Sequence, residues 1–135
     1  MQEIDDRIYE LVGEGMTVLN VLGHGFREKT YERALLVEFQ HLDIRYMQQK
    51  QYTVINRGVK IDEYIPDLEV EDCVIVDTKV IERIGDNEIG QMLNYLKISG
   101  KQFGLILNFK HPKIEWRKVT LKSDATSNSS NINVH

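Results

Sequence analysis

Between Ile65 and Val80 the chain alternates apolar and polar residues in two short runs, Leu68-Glu69-Val70 and Val74-Ile75-Val76-Asp77-Thr78-Lys79-Val80, separated by Glu71-Asp72-Cys73. A two-residue period interrupted by a polar break is the mark of a hairpin. Side chains alternate across a strand, so Val74, Val76, Thr78 and Val80 share one face, and Cys73, Ile75, Asp77 and Lys79 the other. If Glu71-Asp72-Cys73 is a three-residue connection, Val70 pairs with Val74 and Asp67 falls opposite Asp77. A two-residue turn would slip the register by one and carry Asp67 to the far side. On the first register two acids and a lysine converge on one face.

Two carboxylates held side by side repel unless a cation lies between them, and hard divalent ions such as Mg²⁺ take oxygen ligands of this kind. The adjacent lysine can stabilise developing negative charge or handle a proton. A surface hairpin with merely solvated charges is the plain alternative, and for an arbitrary Asp-x-Lys it is the commoner case. Here Cys73 and Ile75 share the charged face, which argues against a fully wet one.

With 135 residues, 41% of them hydrophobic, the chain is expected to form one domain over residues 1–122, followed by a flexible polar tail at 123–135. No run approaches a membrane span, and Met1-Gln2-Glu3-Ile4-Asp5-Asp6 is acidic where a secretory signal would be basic. A cytoplasmic location without membrane contact is therefore expected. The lone Cys73 excludes an internal disulfide and any Cys-based zinc or iron–sulfur site. The net charge of −4 hides an asymmetry: residues 1–96 carry 10 basic and 19 acidic side chains, whereas 97–122 carry Lys97, Lys101, Lys110, Lys113, Arg117, Lys118 and Lys122 against Glu115 alone. Such a flank could hold phosphates in an otherwise acidic molecule, and a solvated basic surface fits the charge equally well.

Apolar residues at three-to-four spacing from Ile4 to Leu22 predict a helix ending at Gly23-His24-Gly25. A second helix is expected from Phe26 or Arg27 to Leu42. On it Glu28 projects from the stripe that carries Tyr31, Leu35, Phe39 and Leu42. An acid on that stripe either enjoys the helix dipole, pairs with a cation or binds metal. Extended segments follow at Ile44–Met47, Gln51–Ile55 and Val59–Ile61 as a meander, with Asn56-Arg57-Gly58 as a tight turn. After a loop at 82–87, a helix over Glu88–Ile98 buries Ile89, Met92, Leu93 and Leu96 and ends on Gly100, with Gln91 and Tyr95 flanking the buried stripe. Phe103–Phe109 reads as a strand covered on both faces, and Ile114–Val119 as a final strand at or near the sheet edge.

This order of elements, with Pro66-Asp67 followed by Asp77-Thr78-Lys79, resembles the PD-(D/E)XK nuclease superfamily. Gly25-Phe26-Arg27-Glu28-Lys29-Thr30-Tyr31 is similar to the signature of the small GxxExxY proteins, Gln91-Met92-Leu93-Asn94-Tyr95 to the Q-x-x-x-Y element of RecB-type members, and Gly104–Phe109 to a segment of the same family. The resemblance spans roughly residues 5–120 and implies an α/β (α+β mixed), restriction-endonuclease-like core, with a central mixed β-sheet flanked by helices. It also implies a Mg²⁺- or Mn²⁺-dependent nuclease acting on nucleic acid, DNA in the first instance. Glu28, Asp67, Asp77 and the Thr78 carbonyl would surround the metal, Lys79 would orient or activate the attacking water, and Gln91 with Tyr95 would position the phosphate or Lys79. The six cations Lys97, Lys101, Lys110, Lys113, Arg117 and Lys118 would face nucleic acid. Close relatives mostly carry Glu where Asp77 stands. A homodimer fits the two-fold symmetry of a duplex. The alternatives are a nuclease-fold module that binds nucleic acid or a partner without cutting, and an acidic interaction protein.

Overall fold

The computed structural model describes residues 2–121 and 132–134. Its elements are α1 (Gln2–Leu22), α2 (Glu28–His41), β1 (Tyr46–Gln48), β2 (Tyr52–Asn56), β3 (Val59–Tyr64), β4 (Leu68–Val70), β5 (Val74–Lys79), α3 (Asp86–Ser99), β6 (Phe103–Asn108), β7 (Glu115–Leu121) and β8 (Ile132–Val134). Six strands form one sheet in the order β1-β4-β5-β6-β7-β8. β5 and β6 are parallel and every other neighbouring pair is antiparallel. The fold is thus mixed α/β with a restriction-endonuclease-like arrangement. A parallel pair needs a crossover, and α3 supplies it.

Alternation along the central strands divides two cores. Leu68, Val70, Val74, Val76, Leu105 and Leu107 meet the apolar stripes of α1 and α2. Ile75, Ile106 and Val119 project the other way and meet Met92, Leu93, Tyr95 and Leu96 of α3. Every residue of β6 is buried, as its unbroken apolar run demands. Gly104 lets α3 approach the sheet, because a Cβ there would stand 2.4 Å from the Met92 sulfur.

The hairpin register is the one a three-residue connection requires: Val70 pairs with Val74, Glu69 with Ile75 and Leu68 with Val76. Glu71 and Asp72 turn the chain with φ of 53° and 57°. Gly100 ends α3 in the left-handed conformation, φ 76°, as a C-cap.

Several expectations are corrected. The segments after Ile44 do not form a meander, since β1 joins the edge of the main sheet while β2 and β3 make a separate two-stranded ribbon. That ribbon closes on Arg57-Gly58, both at positive φ, which matches the twist of its strands. Leu42 follows the end of α2 and is 46% exposed rather than part of its buried stripe. The third helix starts at Asp86, inside the expected loop, because the Glu88 side chain accepts from the Gly85 N–H and fixes the first turn. β7 lies near the sheet edge as expected, with only the short β8 pairing beyond it. Lys122 and most of the expected tail lie outside the described residues, and within 123–135 only Ile132–Val134 is described. Among the described residues no helix is long and apolar enough to cross a membrane.

Candidate active site

Extending the β4–β5 ladder by one step sets Asp67 opposite Asp77, and hydrogen bonds lock the two together. The Asp67 N–H donates to Asp77 Oδ1 at 3.4 Å, while the Thr78 N–H and hydroxyl donate to Asp67 Oδ2 at 3.0 and 3.2 Å. Thr78 thus holds Asp67 in place through its two donors. No hydrogen bond from the described residues reaches Asp67 Oδ1 or Asp77 Oδ2.

Asp77 is 3% exposed. Burial, and then the neighbouring Asp67 charge, push its carboxyl up to about 7, against the opposing pull of Lys79. Burial likewise raises Asp67, partly offset by the Thr78 N–H. Two half-satisfied carboxylates in one low-dielectric corner are electrostatically short of a cation.

Lys79 shares the Asp77 face and donates from Nζ to Gln91 Oε1 at 2.9 Å, so α3 fixes the ammonium across the sheet. Tyr95, one turn on from Gln91, is buried and within the field of Asp77, Asp67 and Glu28. Burial and those charges push its hydroxyl up to about 12, so it stays a proton donor. Tyr64 packs edge-on against it at 5.9 Å.

Glu28 is the first residue of α2, and the N-cap Arg27 offers no side-chain cap. The free N–H groups of that helix end favour a carboxylate. Glu28 is half-buried and raised chiefly by burial, with Lys79 lowering it and Asp67 raising it, which places it in the same electrostatic neighbourhood. Its position depends on Tyr31. The Tyr31 hydroxyl donates to the Gly23 carbonyl at 2.7 Å and accepts from the Phe26 N–H at 3.1 Å, and its ring stacks on Phe109 at 4.6 Å. Gly25, at φ 111°, makes the turn that this clamp holds. The Tyr31→Phe variant is expected to lose about 1 kcal/mol of stability, read from the denaturant midpoint, since two part-buried backbone groups lose their partner.

Reasoning from the sequence missed Glu32. It is 2% exposed, one turn beyond Glu28, and binds Lys29 at 3.2 Å and the Gln48 amide at 3.0 Å. The Gln49 N–H in turn donates to the Asp67 carbonyl at 3.1 Å, so Glu32 braces the helix carrying Glu28 against the strand carrying Asp67. The available signal was its four-residue spacing from Glu28. Asn108 was also missed as a polar anchor. Its side chain bonds both backbone groups of Ile81 and accepts from the Lys110 N–H, and it donates to Glu115, which shapes the loop after Lys79.

The basic set does not form one surface. Lys118 points to the α1 side and pairs with Asp5, and Lys101 lies 4.0 Å from buried Glu69. Arg117 pairs in register with Ile106 on the α3 side, while Lys97, Lys110 and Lys113 are exposed.

The family model of the PD-(D/E)XK nuclease superfamily matches residues 5–119. The chain belongs to this superfamily. No curated protein and no solved structure matches it. Members of this superfamily are generally hydrolytic nucleases, so membership suggests nuclease activity and implies a nucleic-acid substrate. Among the described residues, no group of three or more His, Cys, Asp or Glu side chains is arranged to hold a metal ion. Asp67 and Asp77 nonetheless fit a hydrated hard cation, which binds through one or two carboxylates and keeps several waters. The open oxygen on each, and the raised Asp77 carboxyl, are what such a cation would relieve.

Proposed function

We propose that this protein is a Mg²⁺- or Mn²⁺-dependent nuclease of the GxxExxY group that hydrolyses phosphodiester bonds, with DNA as substrate. The observation that carries the reading is the Asp67–Asp77 pair locked across a hairpin, beside a lysine held by Gln91. The Tyr31 clamp around Gly23 and Phe26 supports the subgroup, because it gives the Gly25, Glu28 and Tyr31 spacing a physical purpose.

Asp67 and Asp77 would hold the metal, with Glu28 adding negative charge from the end of α2 and the Thr78 carbonyl as a further oxygen donor. The bound ion would neutralise charge on the phosphoryl oxygens and acidify a water. Lys79 Nζ, fixed by Gln91, keeps donors for the attacking water or for the oxygen on which charge develops. The Tyr95 hydroxyl, kept protonated, can donate to a phosphate oxygen. Lys97, Lys110 and Lys113 are exposed and available to phosphates further along the strand, with Arg117 on the α3 side and with Lys101 and Lys118 contributing where their present ion pairs release them.

Incubating the full chain with labelled single- and double-stranded DNA and RNA tests this directly. Cleavage of DNA in Mg²⁺ or Mn²⁺ that stops with chelator is expected. If none of the four substrates is cut while a control nuclease cuts them, the reading is wrong.

A further inference from the structure

The β2–β3 ribbon stands apart from the main sheet. Residues 55–62 are all exposed, with Ile55 at 63%, Val59 at 61% and Ile61 at 61%. A two-stranded hairpin is marginal in water by itself, and its exposed apolar side chains lie on both of its faces, Ile55 beside Lys60 on one and Val59 beside Asn56 on the other, as on an element that is enclosed from both sides. The base of the ribbon is fixed. Tyr64 packs on Tyr95, the Tyr52 hydroxyl donates to buried Glu69, and β3 runs through Ile65-Pro66 directly into Asp67.

The two cations of the ribbon sit at its far end: Arg57 and Lys60 flank the turn, whereas its two acids, Asp62 and Glu63, lie nearer the base, Asp62 opposite Val54. Lys60 pairs with Glu63 on the surface, a contact easily exchanged. Arg57, at the turn, makes no ion pair with the described residues.

We propose that the β2–β3 ribbon enters a groove of duplex nucleic acid and seats the duplex against Asp67 and Asp77. A two-stranded ribbon has the cross-section the major groove admits. From Tyr64 to Val59 it extends about 17 Å, at roughly 3.4 Å per residue, enough to reach into a groove from the site. Arg57 and Lys60 meet phosphates at the groove rim, and Ile55, Val59 and Ile61 meet thymine methyls or base steps. A second copy of this chain suits the apolar residues less well, because a two-fold axis through the tip would set its cations against their own images. The choice of site rests on the nuclease reading, but the ribbon is tested by binding alone.

The experiment measures anisotropy of a short labelled duplex, and of one of its single strands, in chelator, with the full chain and its Arg57→Ser/Ile61→Ser variant. Both positions are exposed, so the melting temperature serves as a control for folding. Duplex affinity is expected to fall at least about tenfold and the salt slope by about one unit, with single-strand affinity unchanged. Equal duplex affinity of the two proteins, or no duplex binding by the native chain, overturns the proposal. So does a native dimer, seen by sedimentation, that the variant splits without weakening duplex binding. Ribbon-dependent duplex binding by a chain that cuts nothing would refute the nuclease reading and leave this one standing.

Discussion

Asp77→Asn is expected to abolish cleavage and yet leave the metal-free protein at least as stable as the native chain. Asn keeps the shape and can still accept the Asp67 N–H through its Oδ1. What it removes is a carboxyl held at about 7 by burial and by the facing Asp67. A buried like-charge pair costs stability, and an active site that carries one gives up stability for function. Turnover should fall by roughly a thousandfold or more, because neither cation binding nor charge neutralisation at the phosphoryl group survives. Lys79→Ala should also lose activity, but without the stability gain, since Lys79 is the group that favours ionised Asp77. Single-turnover cleavage and thermal melts in chelator separate the cases. A cleaving Asp77→Asn protein would end the assignment, and a variant that melts much earlier would make Asp77 a structural residue.

The central hairpin was legible because its information is local. Strand alternation and a three-residue connection fix which residues face which, so Asp67 opposite Asp77 followed from counting. The two faces of β5 followed from the same period, and the all-buried β6 from its unbroken apolar run. The partition between main sheet and ribbon was not legible, because β1 pairs with β4 some twenty residues on and nothing local to Tyr46–Gln48 specifies that partner. Glu32 was hidden for a similar reason: only the contact of α2 with Gln48 distinguishes a buried brace from an ordinary solvated glutamate. Charge counting failed differently. The basic flank is contiguous in sequence, but alternation along β7 sends Lys118 to the α1 side and Arg117 to the α3 side.

Raising the pH should destabilise the metal-free protein, and Mn²⁺ should reverse the loss. The folded Asp77 carboxyl is raised from 3.8 to about 7, so the native state holds a proton that the unfolded chain releases first. Its stabilising contribution is therefore fully present below the unfolded value and is lost as pH rises through the folded one. Glu28 and Asp67 are raised too and act in the same direction. The effect amounts to a few kcal/mol, so the melting temperature in chelator should drop by about 10 °C between about pH 5 and pH 8. A divalent cation competes with that proton. At about pH 8 millimolar Mn²⁺ should raise the melting temperature by several degrees, and at about pH 5, with the carboxyl protonated, it should do little. Asp77→Asn should flatten both dependences, because the titrating group and a ligand disappear together. A Mn²⁺ shift of the same size at both pH values would mean that the ion binds elsewhere. An unchanged pH slope in the variant would mean that other groups carry the linkage, and either result would detach Asp77 from the metal.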